Sequence, residues 1–307
     1  MHQMQTPLLR RLAYLAMLIA PLSFVACDED DTVDTMDDDT IGNIVNDVDR
    51  FSTLNDLLDE TDLDGTLSDR DQTFTVFAPN NTAFGAVDLS GVSTDDRRDL
   101  LLYHVIGGSA LNAADIAEGL TVVDNNFDKG PGGVNVPLYV QKSGTSVRAN
   151  MATVIDADIA ARNGVIHEVD QVIMPPNVVN IAQIFDDFSS LVAAVQQANL
   201  VDALSAEGPF TVFAPDNNAF SMTPTTGLTD ERLGDILQLH VVEGNVLSSQ
   251  LMDGMVVETL NGDSLTINVS GSGVTITDPN GNVRTVTGTD VQGTNGVVHT
   301  INGVLLN

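Results

Sequence analysis

The chain has 307 residues, a length that suits two domains of ordinary size. Apolar residues make up 43% of it, enough to bury real cores, so wholesale disorder is excluded. The 43 acids against 12 bases argue against a nucleic-acid binder, because a phosphate backbone needs clustered Lys and Arg. Asp outnumbers Glu 35 to 8, and Lys occurs only at Lys129 and Lys142. That bias suits a protein kept soluble outside the cell, in brine, rather than a cytosolic enzyme. With no Trp and 5% aromatics, a sugar-stacking platform is not expected. A single Cys leaves no disulfide framework and no Cys-rich metal site.

The N-terminus reads as an address. Arg10 and Arg11 form a positive region, and Leu12 to Leu22 is an apolar run too short to span a bilayer. Phe24-Val25-Ala26-Cys27 then resembles the lipobox of a bacterial lipoprotein. The expectation is a signal peptide over residues 1–26, with lipidation at Cys27. Residues 28–39 read DEDDTVDTMDDD, eight of them acidic and none in an apolar period. Like charges this dense repel one another, so residues 27–39 are expected to form an extended acidic tether. The mature protein is then expected in the cell envelope, at the outer membrane or cell surface, held to the membrane through its lipid alone.

Beyond the tether, one unit is written twice. Phe74-Thr75-Val76-Phe77-Ala78-Pro79 recurs 136 residues later as Phe210-Thr211-Val212-Phe213-Ala214-Pro215. Asn163-Gly164-Val165-Ile166-His167 recurs 132 residues later as Asn295-Gly296-Val297-Val298-His299. The drift in offset places insertions in loops. A unit of about 130 residues is a duplicated globular domain, not a solenoid repeat. The boundaries fall at 40–175 and 177–307, where Pro175 and Pro176 exclude a continuous helix. The short linker and separate motifs predict that each unit melts on its own.

Within each unit, Ser52 or Ser189 is placed to cap a helix carrying Leu54, Leu57 and Leu58, or Leu191, Ala194 and Val195. A strand over Phe74–Ala78 stops at Pro79, and Asn80 or Asp216 then opens a turn or a helix. Another helix begins near Ser93 or Thr229, with acids in its first turn that favour the helix dipole. Asp62 to Asp69 fails as a Ca²⁺ loop, having neither the Gly nor the closing acid where an EF-hand needs them, and reads as a turn. The second half alternates as strands do: Leu265-Thr266-Ile267-Asn268-Val269 and Val274-Thr275-Ile276-Thr277, before a turn at Asp278-Pro279-Asn280-Gly281. Helices first and strands later predict an α+β fold rather than a parallel sheet.

These motifs resemble the fasciclin (FAS1) family. Its first motif looks like F-T-V-F-A-P-x-x-x-A-F and its second like N-G-V-[IV]-H followed by an apolar strand. Both occur in both units, in the right order, over residues 40–307. The family's Tyr-His pair is present as Tyr103-His104 but departs to Leu239-His240 in the second copy. The resemblance implies two tandem domains, each a β-sandwich wedge with packed helices. It implies adhesion or matrix contact rather than catalysis. In animal relatives an Asp-Ile pair contacts a receptor, and Asp115-Ile116 stands in a similar place. Tyr103, His104, Asp115 and Ile116 are therefore candidate interaction residues.

Chemistry-bearing residues add little. No G-x-S-x-G elbow, H-E-x-x-H pair or P-loop occurs, so no catalytic residue is named. His240 follows Leu233, Ile236 and Leu237 at helical spacing, and His167 sits in an apolar strand. Core histidines fit that pattern better than metal ligands. No cofactor and no metal are expected. The expected partner is an extracellular protein or, alternatively, a polysaccharide.

Overall fold

The duplicated pattern is realised as two copies of one architecture in a computed structural model that describes residues 39–307, except 126, 224–226 and 272. The expected signal peptide, Cys27 and nearly all of the tether lie outside the described residues.

The first domain begins with α1 (Ile41–Asp47), α2 (Ser52–Glu60) and α3 (Asp64–Leu67). Thr40 caps α1. Ser52 does not cap α2 as expected; it is the first helical residue. The cap comes from across the fold, where Asn81 Oδ1 accepts from the Thr53 amide at 3.0 Å. The second copy repeats this with Asn217 Oδ1 and the Ser190 amide at 2.8 Å. The segment read as a turn at Asp62–Asp69 contains the one-turn helix α3. There follow β1 (Phe74–Pro79), α4 (Asn81–Phe84) and α5 (Thr94–Tyr103). Strands complete the unit: β2 (Val105–Gly107), β3 (Gly119–Val123), β4 (Leu138–Ser143), β5 (Ser146–Ala149), β6 (Ala152–Ala161) and β7 (Gly164–Val169).

The second domain opens with α6 (Val178–Ile184), α7 (Ser189–Gln197) and α8 (Val201–Ser205). Asn177, just past the two prolines, closes a capping box on α6 with Asn180. Then come β8 (Phe210–Pro215), α9 (Asn217–Ser221), α10 (Asp230–Leu239) and β9 (Val241–Glu243). The remaining strands are β10 (Met255–Glu258), β11 (Ser264–Ser270), β12 (Gly273–Thr277), β13 (Val283–Gly293) and β14 (Gly296–Ile301).

Each domain holds one seven-stranded sheet, in the order β2-β1-β7-β6-β5-β4-β3 and its copy β9-β8-β14-β13-β12-β11-β10. The α+β class stands, with one refinement: each sheet is mixed. β1 pairs parallel with β7, and β8 with β14, so the first and last long strands of each unit lie side by side. Bulges interrupt the pairing of β6 with β7 and of β13 with β14. A bulge bends the strand that carries it, which lets the meander fold back over β1 as a wedge. Phe77 of β1 thereby meets Leu138 and Val140 of β4 in one core, while Val76 packs against the helices. β1 is buried along its whole length, which is why it reads as an apolar run instead of alternating.

The two cores are not separate, contrary to the expectation from the linker. Tyr139 of β4 is buried in the core of the second domain. Its ring meets Phe185 edge-on at 5.5 Å, and its hydroxyl donates to Gln292 O at 2.9 Å. Gln141 Nε2 donates to Asp186 Oδ2 at 2.7 Å beside it. One face of the first domain's meander thus receives the start of the second domain. A single thermal transition is expected for the full chain. Tyr139→Phe should cost about 1 kcal/mol, the worth of one hydrogen bond. Calorimetry checks both, and two resolved transitions in the parent protein would contradict the coupling.

Candidate functional site

The motif residues converge on the place where each unit closes on itself. In the first motif, Thr75 Oγ1 donates to Ser109 O at 2.8 Å and accepts from the Leu111 amide at 2.8 Å. Thr211 does the same with Gly244 O at 2.6 Å and the Val246 amide at 2.9 Å. The motif threonine therefore ties the loop after β2, or after β9, to the central strand. Phe77 and Phe213 fill the wedge, and Pro79 and Pro215 end their strands. Asn80 and Asp216 cap the following helices, as one of the two expected roles required.

In the second motif, the Asn163 side chain bonds three backbone groups. Its Oδ1 accepts from the Ile41 amide at 2.8 Å, and its Nδ2 donates to Leu67 O at 2.8 Å and Asp69 O at 2.9 Å. Asn295 repeats this with the Val178 amide, Leu204 O and Ala206 O. One amide thus joins the start of the first helix, the end of the third and the turn before β7 or β14. Gly164 and Gly296 sit directly against Phe74 and Phe210 of the parallel neighbour.

The four histidines among the described residues are all buried, and each ring is held by two backbone groups. His104 Nδ1–H donates to Leu100 O at 2.8 Å, while Nε2 accepts from the Ile173 amide at 2.8 Å. His240 makes the same pair with Ile236 O and the Leu305 amide. His167 and His299 use the opposite tautomer. Nε2–H donates to Leu111 O or Val246 O, and Nδ1 accepts from the amide of Asp158 or Asp290. Burial pushes the pKa of His104 and His240 down to about 4, against a smaller upward pull from the bonded carbonyl. Burial also lowers His167 and His299. These rings are neutral structural pins. Among the described residues, no group of three or more His, Cys, Asp or Glu side chains stands together as a metal cage.

The candidate interaction residues divide. Tyr103 is fully buried, its hydroxyl donating to Pro137 O at 2.8 Å and accepting from Asn150 Nδ2 at 3.1 Å. His104 and Ile116 are buried too, Ile116 in the wedge core beside Phe77. A surface contact through these three is therefore corrected to a packing role. Asp115 alone is exposed, and no helix follows it for it to cap. Its carboxylate accepts from Asn112 Nδ2 at 3.1 Å.

Two aspartates escaped the sequence reading. Asp158 and Asp290 stand in the bulges of β6 and β13 with φ of 60° and 62°. Their carboxylates accept from the amides of Ala113 and Ser248, both at 2.7 Å, so each pins the loop its partner histidine also holds. They are separated by 132 residues, the same offset as the second motif, which was the available signal. Tyr139 also escaped, because its counterpart in the second copy is a threonine.

That difference leaves one surface open. Leu138 and Val140 match Leu265 and Ile267 in burial, so Tyr139, Gln141 and Arg148 correspond to Thr266, Asn268 and Thr275. In the second domain this face carries Thr266, Asn268, Thr275, Thr277 and the exposed Thr285, with Asn268 Nδ2 donating to Thr277 Oγ1 at 3.0 Å. The central rows of this face carry no charge.

A family model described as the fasciclin domain matches residues 49–175 and again 186–307. The chain is 30% identical over 246 residues to transforming growth factor-beta-induced protein ig-h3 of Sus scrofa, covering 76% of this chain and 34% of that protein. It is 29% identical to human periostin, over 76% of this chain and 28% of that one. It is 42% identical to protein sll1483 of Synechocystis, over 42% of this chain and 72% of that one. The chain thus spans about a third of the length of the two animal relatives. A FAS1 domain pair from the insect cell adhesion molecule fasciclin I overlays with a TM-score of 0.45 at 22% identity, covering 87% of this chain and 96% of that one. With both units matched and both motifs closing their domains in the same way, the chain belongs to the fasciclin domain family.

Proposed function

We propose that this protein is a non-catalytic interaction module of the cell envelope, anchored by lipid at Cys27 and serving adhesion or matrix contact. The observation that supports it is the open sheet face of the second domain. The same face of the first domain is covered by the second domain around Tyr139, which supports reading its counterpart as a docking surface. In the second domain its central rows are uncharged on a protein of net charge −31. Repulsion by the surrounding acids therefore does not bar a partner there. The motif histidines, with both ring nitrogens held by backbone, are poor candidates for acid–base work.

The hydroxyl and amide rows of that face also favour a second reading, a polysaccharide-binding lipoprotein. A screen of the full chain against matrix-protein and glycan arrays separates the two. In either case Thr275→Glu should lower the bound signal at least tenfold, and unchanged binding would remove this face from the account. Cys27→Ser should abolish fatty-acid labelling and leave an unprocessed precursor; label retained by the variant would refute the anchor.

A further inference from the structure

The sheet of the first domain ends on β3, which has β4 beside it on one edge and no strand on the other. A bare edge offers its free backbone N–H and C=O groups to any extended chain, and sheets usually blunt such an edge with Lys, Pro or a bulge. β3 has none of these. It reads Gly-Leu-Thr-Val-Val and pairs with β4 through five consecutive residues without interruption. Its side chains alternate as a strand requires. Val123 packs against the wedge core, while Leu120 and Val122 point the other way and are 37% and 59% exposed. The outer side of this edge is therefore apolar where a protected edge would be charged.

That side continues an interface already in use. Val122 stands opposite Tyr139 in the pairing of β3 with β4, so it lies on the face that the second domain covers. Beside it an open groove of about 400 Å³ runs along the seam between the domains. Val122, Val134 and Pro137 wall it on the first domain, and Leu247, Asp290 and Gln292 on the second. Asn135 also lines it, and its Nδ2 is buried with no acceptor among the described residues. An N–H left in that state is destabilising, and a carbonyl brought into the groove would relieve it. Charge selects the occupant. Glu118 and Asp124 flank β3, and Asp290 adds a third carboxylate on the opposite wall. A second copy pairing antiparallel along this edge would set Glu118 against Asp124, and like charges opposed across strands repel. A segment with basic residues at those places meets opposite charge instead.

We propose that β3 takes an extended segment of another protein as an added strand, with an apolar side chain seated in the seam groove and basic residues beside Glu118 and Asp124. Main-chain hydrogen bonds along the edge would give such a complex its affinity, and the groove and the acids its specificity. This goes beyond the adhesion reading and uses a different surface from the open face of the second domain. The test uses the full chain at physiological salt and the peptide acetyl-Lys-Leu-Thr-Leu-Thr-Leu-Lys-amide. The peptide should slow amide hydrogen exchange along residues 119–123 saturably. A version with Glu at both ends should bind at least tenfold more weakly, and so should one with Pro for the central Leu, which cannot complete the ladder. Val122→Lys changes an exposed side chain, so the melting temperature should hold while peptide affinity falls at least tenfold. Leu247→Ser tests the other wall and should also weaken binding. The proposal is overturned if the peptide gives no saturable protection of β3, if the Glu-ended or the Pro peptide binds as well, or if both variants bind as the parent does.

Discussion

Gly164→Ala should cost more than about 4 kcal/mol and leave the first domain without a cooperative transition. A Cβ at this position would lie 1.9 Å from Phe74 O and 2.8 Å from Phe74 C, with φ at +147°. The obstacle is backbone, so no rotamer change relieves it. Phe74 cannot retreat either, because its amide donates to Asn163 O at 2.9 Å and β1 is locked beside β7 along six residues. Gly296→Ala should do the same to the second domain, where the new carbon would meet Phe210 O at 2.1 Å. Gly144→Ala is the control. It too has a positive φ, +60°, but its Cβ would meet open space, so only the backbone penalty of about 1–2 kcal/mol applies. Urea unfolding of the three variants measures the contrast. Equal losses at Gly164 and Gly144 would show that dihedral strain, not contact with β1, sets the cost.

Acid should weaken both domains between pH 6.5 and 4 through His104 and His240. Each has an ordinary value of 6.5 and a folded value pushed down to about 4. The unfolded chain therefore takes up a proton in this window that the folded chain refuses. Stability from each neutral ring is fully present above pH 6.5, declines as pH falls, and is lost by pH 4, a change of about 3 kcal/mol per histidine. The geometry gives the cause. Nε2 accepts from the amide of Ile173 or Leu305, so a proton there would set two donors against each other in a dry core. For His240, Asp278 favours the proton and Arg284 opposes it, both less strongly than burial. His104→Gln keeps a donor and an acceptor but cannot titrate. It should lose stability at pH 7 yet show a shallower decline toward pH 4. A slope equal to that of the parent would mean that other groups carry the acid response.

Local chemistry made much of this protein legible before its tertiary structure. The duplication, the apolar strands at Phe74 and Phe210 and the break at Pro175-Pro176 follow from spacing and from what proline forbids. The caps at Asn80, Ser93, Asp216 and Thr229 follow from side chains that bond amides two or three residues ahead. The burial of His240 was readable from its helical phase. What stayed hidden was every contact whose partner is distant in the chain. Asn81 and Asn217 cap helices that begin 29 and 28 residues earlier, taking the role the sequence offered to Ser52 and Ser189. Asn163 satisfies an amide 122 residues away, which no local pattern encodes. The parallel pairing of the first and last long strands needed the bulged meander to bring them together. Tyr139 reads as any strand aromatic, and only docking made it the link between domains. Whether a side chain meets such a distant partner is decided by how the surrounding elements close on one another, and that is a property of the packed fold alone.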